Sequence, residues 1–323
     1  MQRKTSFHSS THSDGRRYFG LKMDSAHTTI AYTSEQATTD NRMNSNSKYN
    51  AVLTAIYCVV LLSGTVSLSL MTHIMKSSST SITSIAVLNL IFTHFIFLFT
   101  VPFRIYYYVG GSWDLGEWWC STVSAMIHIH MYMSFLFYVI ILIMRLIVFY
   151  HKREKADAFH RVHALVFCTV VWLTVLVAVP CVTTFYYRKN NATSDNNTCF
   201  TFGKTIQDYQ TINYIISIVI VVVTAVLTGL QANVLRVLYK THHQGCTSQQ
   251  DFGVQLKSLG FALIMTVCFI PYHMFRFYYI EHSNDSELEN INEVFLTLTT
   301  FNCLDMLTFL GRRTCYSCFL REA

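Results

Sequence analysis

The stretch CSTVSAMIHIHMYMSFLFYVIILIMRLIVFY, residues 120–150, decides the fold of this protein. Its only Asp, Glu, Lys or Arg residue is Arg145. A bilayer core about 30 Å thick is crossed by roughly 20 apolar residues in a helix, so this stretch is long enough to span a membrane. A charged side chain inside such a segment is costly and marks a functional position. Arg145 is therefore a candidate functional residue within a membrane-spanning helix.

Six further apolar stretches of spanning length accompany this one. The chain of 323 residues is 52% hydrophobic and 13% charged, whereas soluble domains carry about 25% charged residues. In lipid, backbone hydrogen bonds must close within each segment, so helix is favoured over strand. The sequence predicts an all-α membrane protein, a seven-transmembrane helix bundle. The spans are predicted at 51–75, 82–108, 120–150, 163–185, 210–238, 252–280 and 290–310.

The charges that flank these spans predict that the amino end lies outside. Lys and Arg are more frequent in the segments that this orientation places inside, as the positive-inside rule requires. The sequons at Asn191, Asn196 and Asn284 fall in loops on the outer side, and we expect all three to be glycosylated. No apolar segment follows Met1, so no cleavable signal peptide is predicted. We expect three parts: a disordered extracellular tail at 1–49, a seven-transmembrane domain at 50–310 and a short cytoplasmic tail at 311–323.

The composition also excludes several classes of function. The net charge of +6 is scattered, and no basic stripe is interleaved with aromatic residues, so nucleic acid is not an expected partner. No set of cysteines has zinc-site spacing and no nucleophile lies beside a base, so we expect no metal, no cofactor and no enzyme activity. Receptors, channels and transporters remain. A transporter would show internal repeats and broken helices, and neither is evident in the sequence.

Several short motifs follow one another over residues 50–320. They are Trp113-Asp-Leu-Gly116 before Cys120, Arg145, Trp172 with Pro180, Cys268-Phe-Ile-Pro271, and Asn302-Cys-Leu-Asp305. These motifs resemble, in the same order, those of rhodopsin-like G-protein-coupled receptors, in which Arg145 matches the arginine of the D-R-Y motif. Residues 102–107 and 271–276 look like the branch that binds nucleotides, lipids and short peptides. The resemblance implies a multi-pass receptor of the plasma membrane that is activated by an extracellular ligand, activates a heterotrimeric G protein and binds arrestin.

The resemblance implies two kinds of cysteine chemistry. Cys120, at the outer end of span three, is expected to form a disulfide with Cys199 in the outer loop before span five; two free thiols are the alternative. Cys315 and Cys318 follow span seven beside two arginines. That context fits palmitoylation of a short amphipathic cytoplasmic helix, with unmodified thiols as the alternative.

Departures from the family's motifs shape the expected activation switch at the inner end. Met144 stands where the D-R-Y motif has its acid. We therefore predict that Arg145 pairs with Asp251 at the inner end of span six; an Asp251 that only caps the helix is the alternative. Phe269, close to the helix-kinking Pro271, is predicted to be a rotamer switch, and plain packing is the alternative.

A second departure concerns the midplane of the bundle. His94 replaces the family's span-two aspartate, and the acid is Asp305 in span seven. We predict that these two residues form a pair that replaces the family's sodium site and makes signalling sensitive to pH. A neighbouring carboxylate favours the protonated imidazole, whereas desolvation favours the neutral form. Two separately hydrated polar residues are the alternative.

A set of residues near the outer ends is predicted to contact the ligand. His273 and Arg276 are three residues apart and share one helix face. The arginines of the set favour a ligand with a carboxylate or phosphate group. For Arg276 the alternative is a rim salt bridge to Glu281 or Glu287, and for His128 it is a satisfied histidine of the core. The full predicted set is Arg104, His128, Met131, His273 and Arg276.

Overall fold

The computed structural model describes residues 47–73, 82–151, 166, 168–175, 177, 199–200, 210–242, 248–282 and 286–309. Within these ranges every regular element is a helix, and the helices follow the predicted order. They are α1 Ser47–His73, α2 Ile82–Gly110, α3 Glu117–His151, α4 with its described turns at 168–175, α5 Gln210–His242, α6 Ser248–Glu281, and α7 Ser286–Leu298, which continues as a 3-10 helix Thr299–Phe309.

The long helices exceed the thickness of a bilayer core. α3 has 35 residues, which correspond to about 50 Å. It begins at Glu117 rather than at the predicted residue 120, and the Glu117 carboxylate complements the positive end of the helix dipole. Five of the described helices, α1, α2, α3, α5 and α6, are long and apolar enough to cross a membrane. The described part of the chain therefore has the helical membrane architecture that the sequence predicts.

The seventh span changes its winding halfway. It was predicted as one regular helix to residue 310, but Thr299–Phe309 forms a 3-10 helix of 11 residues. Runs of this kind longer than three or four residues are uncommon. At the junction the hydroxyls of Thr299 and Thr300 each donate to a carbonyl oxygen three residues earlier, at 2.6 Å. Such hydroxyl bonds to the preceding turn bend helices, and here they coincide with the change in winding.

The polarity of the bundle is the reverse of that of a soluble protein. Leu62, Val109 and Val267 are each at least 70% exposed. By contrast, Arg104 and Asp305 are completely buried. An apolar exterior around a polar interior is stable only when lipid surrounds it, and buried polar groups in such a bundle mark functional positions.

Specific contacts tie the helices together. Trp172 of α4 donates from Nε1 to Asn89 Oδ1 of α2 at 3.0 Å. On α1, a Cβ at Gly64 would lie 2.9 Å from a methyl carbon of Leu98 of α2, so a larger residue there would require the Leu98 side chain to shift. Ser67 of α1 donates to the Cys303 carbonyl of the 3-10 helix at 3.1 Å. α3 lies in the middle of the bundle and contacts α2, α5, α6 and the 3-10 helix.

A disulfide marks one end of the bundle. Cys120 at the start of α3 is bonded to Cys199, with their Cα atoms 5.9 Å apart, which confirms the predicted disulfide. The turn before α3 is held by Trp113 Nε1, which donates to the Gly116 carbonyl at 2.8 Å. Gly116 has φ +86°, a conformation that favours glycine. We call this the disulfide end, and the opposite end, which carries Arg145, the Arg145 end.

Candidate functional site

Arg104 lies at the disulfide end with its guanidinium fully enclosed. Its Nη1 donates to Glu293 Oε1 of α7 at 2.8 Å and to the Tyr57 hydroxyl of α1 at 3.0 Å. Its Nη2 donates to the carbonyl oxygens of Val123 and Ser124 of α3 at 3.2 and 3.4 Å. All four terminal N–H groups of the guanidinium are thereby used. Arg104 therefore connects four helices through a buried ion pair.

The remaining faces of this pair are also covered. Tyr108 donates its hydroxyl to Glu293 Oε1 at 3.1 Å. Phe200, which follows the disulfide, places its ring 4.4 Å from the Arg104 guanidinium carbon and is itself buried. Its φ of 69° is uncommon for a residue with a side chain. We call Tyr57, Arg104, Tyr108 and Glu293 the charged cluster.

Arg276 of α6 is also buried, at 5% exposure, but its surroundings differ. Its Nη1 donates to the Tyr272 hydroxyl, and its Nη2 donates to Asn213 Oδ1 of α5 at 2.7 Å. Among the described residues no carboxylate lies within ion-pair distance of it. Of the two rim acids considered as alternatives, Glu281 instead accepts from the Tyr214 hydroxyl at 3.2 Å. Arg276 is thus a buried cation bound only by neutral partners.

The other predicted ligand contacts surround Arg276 or line α3. His273 places Nδ1 3.1 Å from the Ser217 hydroxyl of α5. His128 is half-buried, with Nδ1 3.4 Å from the Ser124 carbonyl oxygen one turn earlier. Met131 is completely buried. We call Asn213, Tyr272, His273 and Arg276 the Arg276 site.

A buried polar network lies deeper in the bundle, and it brings His94 and Asp305 together as predicted. His94 Nε2 is 3.5 Å from Asp305 Oδ2. The opposite nitrogen of His94, Nδ1, is 2.9 Å from His130 Nε2 of α3. Tyr138 of α3 donates its hydroxyl to Asp305 Oδ2 at 2.5 Å. Two imidazoles, one carboxylate and one phenol therefore connect α2, α3 and the 3-10 helix.

Phe269, the predicted rotamer switch, packs directly against this network. It is completely buried on α6, and its ring centroid lies 6.3 Å from that of Tyr138 and 5.9 Å from that of Phe135, edge to face in both cases. Pro271 lies inside α6 two residues later. A rotation of the Phe269 ring would therefore change its contact with Tyr138, whose hydroxyl is bonded to Asp305.

The Arg145 end carries the remaining predicted switch residues. Arg145 is half-buried and forms no hydrogen bond or ion pair with any residue that the structure describes. The side chain of Asp251, its predicted partner, lies outside the described residues, as do the predicted modification sites. The sites concerned are Asn191, Asn196, Asn284, Cys315 and Cys318. Within the described ranges no group of three or more His, Cys, Asp or Glu side chains could hold a metal ion.

Several residues of these sites were not predicted from the sequence. Of the missed residues, Glu293 was the most predictable from the sequence, because a carboxylate within a predicted span is costly unless it is paired. Tyr57 and Tyr138 gave no signal, since tyrosine is common in membrane helices and near their ends. Phe200 was also missed, although its position beside Cys199 fixes it over the bundle once the disulfide is assigned.

The sequence of this chain is similar to those of known receptors. A family model, the 7 transmembrane receptor (rhodopsin family), matches residues 67–305. The human (Homo sapiens) Probable G-protein coupled receptor 141 is 36% identical over 267 residues, which are 80% of this chain and 87% of that protein. The similarity to that receptor thus extends over most of both chains.

Two further relatives are named for the ligands they bind. The 2-oxoglutarate receptor 1 of Rattus norvegicus is 28% identical over 254 residues, 75% of this chain and 72% of that protein. The Lysophosphatidic acid receptor 6 of Gallus gallus is 28% identical over 152 residues, 47% of this chain and 49% of that protein. The family consists of receptors of the plasma membrane and not of enzymes. We conclude that the chain belongs to the rhodopsin family of seven-transmembrane receptors and is a multi-pass, ligand-activated G-protein-coupled receptor.

Proposed function

We propose that this receptor is activated by an extracellular ligand whose anionic group binds Arg276. The ligand enters at the disulfide end, which faces outside, and the heterotrimeric G protein binds at the Arg145 end. Arrestin binds the same cytoplasmic surface. The loops at the disulfide end are glycosylated, and the tail after span seven is palmitoylated and cytoplasmic.

One observation supports a ligand with an anionic group: Arg276 is a buried guanidinium whose partners among the described residues, Tyr272 and Asn213, are both neutral. Removing a cation from water is expensive unless an opposite charge compensates it. An anionic group of a ligand would supply that charge through hydrogen bonds of about 1.5–3 kcal/mol. Two relatives are named for ligands that carry such groups, two carboxylates in one case and a phosphate in the other.

Aromatic side chains near Arg276 support a ligand that has an apolar part next to its anionic group. The guanidinium carbon of Arg276 lies 5.5 Å from the centre of the Tyr272 ring. The ring of His273 lies edge-on to that of Tyr272, with centroids 4.9 Å apart. Aromatic walls with a few placed polar groups are typical of small-molecule sites.

Signalling follows from a two-state bundle. A ligand that binds the active arrangement more tightly shifts the population toward it. Phe269 connects the two ends, because it is packed against Tyr138 and hence against the buried polar network. Movement of α6 at this level opens a cytoplasmic cleft near Arg145.

Binding of anions to the purified receptor in lipid nanodiscs tests the ligand class. Benzoate, hexanoate and phenyl phosphate are titrated while the unfolding temperature is followed, which gives an apparent affinity for each. We expect Arg276→Gln to weaken the anions that bind at least tenfold, the equivalent of about 1.4 kcal/mol. Arg236→Gln removes the same charge from an exposed position on α5 and should change nothing. Anion binding that is equal in wild type and Arg276→Gln would refute the proposal.

Coupling is tested separately in cells. The receptor is expressed with a panel of chimeric G proteins, and basal signalling is compared between wild type and Arg145→Ala at equal surface expression. We expect Arg145→Ala to lose coupling. Equal signalling by the two proteins would leave the role of Arg145 unsupported without affecting the ligand class.

A further inference from the structure

The buried charges at the disulfide end do not balance. Among the described residues the buried charged side chains there are two guanidiniums, Arg104 and Arg276, and one carboxylate, Glu293. Glu293 forms an ion pair with Arg104 only. Counted over the described residues, the buried charge at this end is therefore one positive unit, and it lies on Arg276.

Hydrogen bonding makes the same distinction. Of the five N–H groups of Arg104, the four terminal ones are bonded to oxygen atoms of the protein, and only the buried Nε–H has no partner among the described residues. Of the five N–H groups of Arg276, two have partners in the described part of the chain. A ligand can thus bind Arg276 without displacing a protein carboxylate, whereas at Arg104 it would have to compete with Glu293.

The two arginine sites lie on helices that pack against each other. Phe275, next to Arg276 on α6, stacks on Phe295 of α7, with ring centroids 4.8 Å apart. Phe295 is two residues from Glu293 on the same helix. The Glu293 carboxylate is therefore close enough to influence a ligand at the Arg276 site.

We propose that Glu293 sets the charge class of the ligand: by neutralising Arg104 it makes the site take ligands with one anionic group and disfavour those with two. The inference rests on the proposed function, because it assumes that the ligand's anion binds Arg276. It is based on the Arg104–Glu293 ion pair, on the four terminal N–H groups of Arg104 that are already bonded, and on the packing of the two sites against each other.

The physical reason is that a carboxylate repels each negative charge of a ligand. The Coulomb energy is proportional to the ligand's charge, so the penalty from Glu293 doubles between a monoanion and a dianion. The second anionic group also finds no free guanidinium, since Phe200 covers Arg104 and Glu293 is bonded to it. Removing the Glu293 charge should therefore favour dianions more strongly than monoanions.

The test uses benzoate and terephthalate, which share one ring and differ by one carboxylate. Apparent affinities are measured from the unfolding temperature of the receptor in nanodiscs, for wild type and for the isosteric Glu293→Gln. We expect the substitution to strengthen terephthalate by about tenfold and benzoate by about threefold, because the logarithm of the gain follows the ligand's charge. An unchanged ratio of the two affinities, or no terephthalate binding by Glu293→Gln, would overturn the proposal.

Two control variants isolate the charge. Glu287→Gln removes a carboxylate from an exposed position of the same helix and should leave the ratio as in wild type. The double variant Arg104→Gln with Glu293→Gln restores a single uncompensated guanidinium, so its ratio should return to that of wild type. A double variant that keeps the preference of Glu293→Gln would contradict the charge argument.

The failure of this inference can be told from the failure of the proposed function. If anions do not bind at Arg276, Arg276→Gln leaves benzoate affinity unchanged, and both proposals fall. If Arg276→Gln weakens benzoate but Glu293→Gln leaves the ratio unchanged, only the inference about Glu293 falls. Should Glu293→Gln be unstable because Arg104 has lost its counter-charge, terephthalate should raise its unfolding temperature more than benzoate, and equal increases would overturn the inference.

Discussion

Arg104 and Arg276 are both buried guanidiniums at the same end of the bundle, and they differ in their partners. Arg104 binds a carboxylate, a phenol and two carbonyl oxygens. Arg276 binds a phenol and an amide oxygen. A buried cation whose charge is compensated contributes to the structure, whereas one whose charge is not compensated is available to a ligand. The partner, rather than burial itself, distinguishes the two roles.

The largest effect that tests this comparison is on stability. Glu293→Ala leaves Arg104 buried without its counter-charge, which should lower the free energy of unfolding by about 3–5 kcal/mol. Arg276→Ala removes a cation that has no carboxylate partner among the described residues, so its loss of stability should be much smaller. Thermal unfolding of both variants in nanodiscs measures the difference. Equal destabilisation by the two substitutions would mean that the partners of the arginines do not matter.

A third arginine extends the comparison to the other end of the bundle. Arg145 has no ion pair within the described residues, and we predict that Asp251 is its partner in the inactive state. Loss of a partly buried pair costs less than the 3–5 kcal/mol of the buried limit, because water enters. Asp251→Ala should therefore raise basal G-protein signalling. Unchanged basal activity at equal surface expression would leave Asp251 as a helix cap.

The ring of Phe200, which covers the charged cluster, tests the same comparison through a smaller change in stability. Phe200→Leu keeps an apolar side chain beside Cys199 but removes the ring over Arg104. The interaction of a guanidinium with an aromatic ring is worth about 0.5–1 kcal/mol at exposed sites and about 2 kcal/mol or more when desolvated, and leucine retains part of the packing. We expect a loss of about 1 kcal/mol in the unfolding free energy. The same loss in an Arg104→Gln background would show that the ring packs against its neighbours without sensing the charge.

The smallest expected effect is that of sodium on the buried polar network. His94 occupies the position next to Asp305 and can supply the positive charge there. Exchange of sodium chloride for choline chloride should therefore leave both the unfolding temperature and signalling unchanged. His94→Asp is the matched variant, and it should gain a sodium response. A sodium response in wild type would count decisively against the pair.

The sequence was sufficient for the properties that depend on one segment or one motif. The all-helical seven-transmembrane fold class, the disulfide, the receptor family and the plasma-membrane location were predicted and are confirmed, and five of the described helices are long and apolar enough to span a membrane. The partner of Arg104 was not predicted, because Glu293 lies 189 residues away and the pairing depends on how α2 and α7 are rotated. The 3-10 winding was not predicted either, because it depends on local hydroxyl bonds such as that of Thr299.

The 3-10 segment of the seventh helix could convert to α-helix, which would change both its length and its twist. A 3-10 helix advances about 2.0 Å and turns about 120° per residue, against about 1.5 Å and 100° in an α-helix. Conversion of the 11 residues of this segment to α-helix would shorten it by about 5 Å. Over the steps from Thr299 to Asp305, the direction of the carboxylate would rotate by about 120° relative to Thr299. This conversion would thus move Asp305 away from His94 and Tyr138, and the same movement would shorten the segment that ends at Phe309.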